Sequence, residues 1–158
     1  MSSRIENRAN LMGPVQAMLK LEDRVRESGL DTVLLDLVRL RASQINGCAY
    51  CLAMHTRDLL EHGERPDRLS VVPAWRDSDW FSERERAALA WTEALTDLSS
   101  REVPDAIFEQ ARAAFTEQEL ADLTLAVVAI NGWNRFNIAF QNPPDPFTSA
   151  LKEAALAQ

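Results

Sequence analysis

At 158 residues the chain has the size of one domain, large enough to bury about two-thirds of its unfolded surface without covalent staples. Hydrophobic residues at 46% and charged residues at 26% lie near the globular average and argue against disorder, while a formal charge of −7 argues against the basic stripe a nucleic-acid binder needs. Met1 to Leu11 is polar rather than a signal-type apolar run, and no segment reaches the ~20 apolar residues that cross a bilayer, so a cytoplasmic protein without membrane or nucleic-acid partners is expected.

Five glycines and long stretches of Ala, Leu, Glu and Arg favour helix. A first helix is predicted from Pro14 to Glu27, with Val15, Met18, Leu19 and Val25 at helical spacing and Ser28-Gly29 as its stop. The second runs from Asp31 to Gln44. Its apolar residues Val33, Leu34, Leu35, Leu37, Val38 and Leu40 fall all round, which marks it as central. Asn46-Gly47 is a break, and a third helix follows from Cys48 to His62, closed by Gly63, with His62 where a cation complements the helix C-terminus.

Arg65 to Trp80, interrupted by Pro66 and Pro73, reads as irregular with room for one short helical turn. Ser82 with Glu85 is a capping box opening a helix to about Ser99; Pro104 starts another that ends near Phe115. Thr116 with Glu119 repeats the box and opens a long helix through Ala139, stopped by Pro143, Pro144 and Pro146. The tail from Phe147 to Gln158 is predicted as an amphipathic helix suited to packing on a neighbouring subunit. No linker or repeat appears, so residues 1–158 are expected to form a single all-α helical bundle.

Chemistry concentrates in RASQINGCAYCLAMH, residues 41 to 55. A cytosolic C-x-x-C pair is a poor staple, because the compartment keeps thiols reduced and so short a loop constrains the unfolded chain little. Gly47 permits a tight turn that leaves Cys48 at a helix N-terminus, where unpaired N–H groups and the helix dipole favour a thiolate. Three residues put Cys48 and Cys51 on one side of a helix, about 4.5 Å apart in rise, and His55 follows Cys51 by one turn. An imidazole there can accept the thiol proton. Asp36, in the apolar run VLLDLVRL, needs a partner if buried. If the chain folds back at Asn46-Gly47, its carboxylate can approach His55 and complete an acid–imidazole–thiol set. The alternatives are two cysteines acting as small hydrophobes, zinc held by Cys48, Cys51, His55 and Asp36, and an ordinary Asp36–Arg39 ion pair. Trp75, Trp80 and Trp91 are expected to pack, Trp133 and Phe136 to serve the core or a subunit contact, and Arg135 to pair with an acid across an interface.

Three blocks, NGCAYCLAMH, AWRDSDWFSERERAALAWTEALT at Ala74 to Thr96 and INGWNRFNIAF at Ile130 to Phe140, resemble the AhpD-like alkylhydroperoxidase branch of the carboxymuconolactone decarboxylase family. The resemblance implies an all-α homo-oligomer, trimeric or hexameric, that reduces hydroperoxides through thiols without cofactor or metal, drawing on a lipoamide- or thioredoxin-type dithiol reductant. It also implies the roles: Cys51 as the peroxidatic thiol that becomes a sulfenic acid, Cys48 as the resolving thiol, His55 as the relay histidine, and Asp36 at the relay-acid position. The family pattern has glutamate at that position, one methylene longer, so a bridging water is expected here. Tyr50 replaces a histidine found between the cysteines in the best-known peroxidase branch, and both changes point to weaker or redirected peroxidase activity. The decarboxylase branch lacks the C-x-x-C pair, which disfavours lactone decarboxylation. A non-catalytic oligomeric redox sensor or a disulfide-exchange protein is the alternative.

Overall fold

The computed structural model describes residues 3–5 and 8–144, with Arg8 in its backbone alone; the helix expected over Phe147 to Gln158 lies outside the described residues. All regular structure within them is helical. A 3-10 turn, Arg8–Leu11, leads into α1, Met12–Arg26, so the first helix starts earlier than predicted. Pro14 is accommodated because first-turn N–H groups have no helical partner to lose. Asp31 caps α2, Thr32–Asn46, by accepting the Leu34 N–H at 2.9 Å. The third helix, α3, is Ala49–Glu61.

The segment predicted to be irregular holds more helix than expected: a short α4, Pro66–Ser70, and a 3-10 stretch, Val72–Asp77. Both capping boxes form, opening α5, Glu83–Thr96, and the long α7, Glu117–Ala139. Helix α5 stops before the predicted Ser99 because Asp97 leaves the helical region and its carboxylate accepts the Ser99 N–H. Between them lies α6, Asp105–Ala114, with Pro104 just ahead of it.

Helix α2 packs against α3, α5 and α7, and this central place follows from its all-round apolar surface. Leu34, Leu35 and Val38 join Leu123 and Val127 of α7 and Ala88 and Trp91 of α5 in one core. Leu37 and Leu40 join Leu59, Leu69, Val72, Trp75 and Leu89 in another. Glu93 fastens the second core's edge, accepting from Arg41 Nε at 2.7 Å and Trp75 Nε1 at 2.9 Å and pairing with Arg76. Burial pushes the Glu93 carboxyl up, but hydrogen bonds from Trp75, Arg76 and Arg41 outweigh it and leave the group below its ordinary range. Trp75 and Trp91 are buried as expected. Trp80 is not: it is 44% exposed, with the Arg65 guanidinium over its ring at 4.8 Å. No described helix is long and apolar enough to cross a membrane.

A candidate dithiol site where the second helix turns into the third

Gly47, at φ +70°, ends α2 in the left-handed conformation, and the Cys48 N–H reaches back to the Ser43 carbonyl at 3.1 Å. The chain reverses there and leaves Cys48 in extended geometry as the N-cap of α3. Helix α7 pins this reversal. Asn46 Nδ2 donates to Asn131 Oδ1 at 2.9 Å and to Asn134 Oδ1 at 2.8 Å, and Asn134 Nδ2 donates to Ser43 Oγ at 3.0 Å.

The two sulfurs lie 2.6 Å apart, free and buried, with Cys48 1% and Cys51 0% exposed. Ala42 and Ile130 complete their apolar surround, with half-buried Tyr50 and Trp133 packed against it. The Cys51 N–H donates to Cys48 Sγ at 3.4 Å, so the sulfur takes the place of an oxygen cap. Charge distributes unequally over the pair. The hydrogen bond with the Cys51 sulfur brings Cys48 down to about 7 against the opposing effect of burial, helped by backbone N–H groups and the Asn134 amide. Cys51 is driven up, first by the same hydrogen bond to Cys48, then by burial and by repulsion from a Cys48 thiolate. The amides of Asn134 and Asn137 work in the other direction at Cys51, and Asn137 Nδ2 donates directly to Cys51 Sγ at 3.3 Å.

His55 is buried on α3, but neither ring nitrogen makes a hydrogen bond among the described residues, to either sulfur or to any oxygen. Its Nδ1 faces Asp36 Oδ1 at 3.7 Å and Asp58 Oδ2 at 3.6 Å, beyond hydrogen-bond reach. The fold-back at Gly47 thus brings Asp36 beside His55, while the shorter acid stops short of a direct contact. Asp36 also accepts from Arg39 Nη1 at 3.0 Å, so the ion pair weighed as an alternative coexists with the approach to His55. Arg39 continues to Glu22 at 2.7 Å, which accepts in turn from Trp133 Nε1 at 3.1 Å. His62, besides ending α3, places Nε2 3.6 Å from Asp36 Oδ2. Asp58 lies below its ordinary range because the His55 imidazole faces it.

Several of these neighbours escape sequence reasoning. Asn134 and Asn137 stand about one turn apart on α7, and buried amides need partners, but the partner is 86 residues away for Asn137. Glu22 carries no sequence signal at all. Arg135, expected to pair with an acid across an interface, donates to Asn131 of its own helix.

Two cavities open near the α2–α5 region. One of about 270 Å³ is lined by Leu40, Leu52, Thr56, Leu60 and Leu69, and one of about 400 Å³ by Arg41, Ile45, Glu93 and Ile107. Neither is lined by a cysteine.

Residues 15–94 match the carboxymuconolactone decarboxylase family. YdfG of Bacillus subtilis (strain 168), an uncharacterized protein, is 36% identical over 128 residues, which is 81% of this chain and 87% of YdfG. The crystal structure of an Agrobacterium tumefaciens protein of unknown function, suggested to be the antioxidant-defence protein AhpD, superposes with a TM-score of 0.86 at 35% identity, over 91% of this chain and 99% of its own. The fold recurs at 22% identity, TM-score 0.76, in a peroxidase-related protein of Ralstonia eutropha JMP134 with an alkylhydroperoxidase AhpD core, over 88% of this chain and 74% of that one. By sequence match and by fold alike, the chain belongs to the carboxymuconolactone decarboxylase family, on its AhpD-like side.

Proposed function

We propose that the protein is a thiol-dependent peroxidase cycling Cys48 and Cys51 between dithiol and disulfide. The observation that carries this reading is the pair of free sulfurs 2.6 Å apart at a helix N-terminus, with the Cys48 thiol brought down to about 7. In the resting site the negative charge rests on Cys48 and the proton on Cys51. The Cys51 proton crosses the 2.6 Å contact to Cys48, so the pair keeps a single negative charge. The Cys51 thiolate then attacks the terminal oxygen of ROOH. An S–O bond forms, the O–O bond breaks, and the departing alkoxide takes the Cys48 proton, relayed by His55 and water because no direct hydrogen bond joins His55 to either sulfur, to leave as ROH. The Cys48 thiolate attacks the sulfenic sulfur, an S–S bond forms, and hydroxide leaves as water with one proton from solvent. An external dithiol returns two electrons and restores the starting site, releasing that proton. Asp36, held by Arg39, orients His55 and offsets its transient charge. Asn137 supports the Cys51 thiolate by hydrogen bonding.

The test is steady-state hydroperoxide consumption with several dithiol donors. Cys51→Ser is expected to fall to the uncatalysed rate. Cys48→Ser is expected to stop after one equivalent, with a sulfenic acid trapped on Cys51 by a 1,3-dione. Full turnover by Cys51→Ser would sink the mechanism.

One observation favours a second reading. A low-pKa first cysteine with a buried, high-pKa second is the arrangement that suits disulfide exchange, with Cys48 attacking a substrate disulfide and Cys51 resolving it. Reduction of a protein disulfide that depends on Cys48, with negligible hydroperoxide turnover, would select this reading.

A further inference from the structure

Around His55 lies a set of groups that contains no sulfur. Helix α3 carries His55 and Asp58 at positions i and i+3, its C-cap His62 follows at i+7 on the same side, and Asp36 of α2 stands opposite. His55 Nδ1, an Asp36 oxygen and an Asp58 oxygen all lie within 4.8 Å of one another. His62 Nε2 approaches the other Asp36 oxygen at 3.6 Å. The His55 side chain is only 7% exposed, yet both ring nitrogens lack a hydrogen-bond partner among the described residues. An imidazole buried in that way is costly, and a bound ion is one of the few groups that removes the cost. The spacing agrees. Two ligands bonded to one tetrahedral zinc ion stand roughly 3.4 Å apart, close to the 3.7 and 3.6 Å from Nδ1 to the two carboxylates and too long for N–H···O bonds.

We propose that His55, Asp36 and Asp58 bind one divalent transition-metal ion of the zinc type, with His62, 44% exposed, closing the solvent side. Imidazole nitrogens with carboxylate oxygens suit zinc and its first-row neighbours better than calcium or magnesium, which take oxygen alone. Arg39 occupies one lone pair of Asp36 Oδ1 and is itself neutralised by Glu22. It fixes the carboxylate's orientation, and its charge sets the affinity lower than that of a closed four-ligand structural site. The sulfurs take no part, which separates this site from a zinc site built on the C-x-x-C pair. An ion bound there takes the imidazole that relays the proton to the departing alkoxide, so metal binding represses peroxide turnover; this consequence, unlike the site, rests on the peroxidase reading.

The test uses the full chain stripped with chelator. Zinc titration calorimetry on the Cys48→Ser/Cys51→Ser variant is expected to give one equivalent, weakened about tenfold or more by Asp58→Asn and by His62→Asn. Cobalt added to wild type is expected to give visible d–d bands without a thiolate-to-cobalt charge-transfer band, which keeps the test open should the double-serine variant fail to fold. Absence of binding, binding unchanged by Asp58→Asn, or a thiolate charge-transfer band would each overturn the proposal. None of these outcomes alters whether metal-free protein consumes hydroperoxide, so the two readings fail separately.

Discussion

Cys48 and Cys51 have the same side chain and opposite proton affinities, and the difference comes from which sulfur receives hydrogen bonds from the other and from the helix start. Ultraviolet titration of the thiolate should therefore show one group ionising near pH 7 in wild type, and the midpoint should rise by about one to two units in Cys51→Ala, which loses the larger stabilising partner. The linkage has a definite sign. Cys48 ionises at lower pH folded than unfolded, so reduced protein should gain stability as pH rises from about 7 toward 9. Cys51 ionises at higher pH folded, so stability should fall again above that range. Urea midpoints across pH, reduced against oxidised, check both limbs, because the disulfide form has no thiol to titrate. Asn137→Leu removes the donor to Cys51 and should lower peroxide turnover about tenfold on the proposed reading, with little change in the urea midpoint. The place of Cys48 as the cap of α3 was legible from Gly47-Cys48 alone, since a glycine stop followed by a helix start fixes the backbone there locally. Asn137 was not, because nothing local ties an amide on α7 to a sulfur on α3.

The two capping boxes were the plainest local signals in the sequence, and the end of α5 was the least plain. Ser82 and Thr116 each accept the N–H of the glutamate three residues on, and each glutamate answers with its carboxylate, an arrangement contained in four residues. Ser82→Ala and Thr116→Ala should each cost about 1 kcal/mol in equilibrium unfolding. The end of α5 depended on Asp97 turning back to Ser99, a competition between side chain and backbone that apolar periodicity does not register. Gly47 carries the turn on which the site depends. With φ at +70° and open space around its α-carbon, Gly47→Ala meets no clash, and its cost of about 1–2 kcal/mol is conformational. The same variant should loosen the pairing of Asp36 with His55, since both lie on helices whose angle this residue sets.

The helix α2 faces two cores at once, and its unbroken apolar circumference was enough to predict that central place. Assembly leaves a weaker imprint on sequence, because a surface leucine reads the same whether it faces water or a neighbour. Met12, Leu19, Val128 and Ile138, on α1 and α7, are all at least 44% exposed. If the chain assembles as the family resemblance implies and uses these residues, sedimentation of Leu19→Glu/Val128→Glu gives a smaller species than wild type, with helical content unchanged. Because the first turn of α3 is fastened by a sulfur rather than an oxygen, its hold on the Cys51 amide changes whenever that sulfur changes partner. Deuterium uptake at Cys51 should consequently track the oxidation state of the chain, making the frayed or fastened helix end a readable report of the electrons stored beside it.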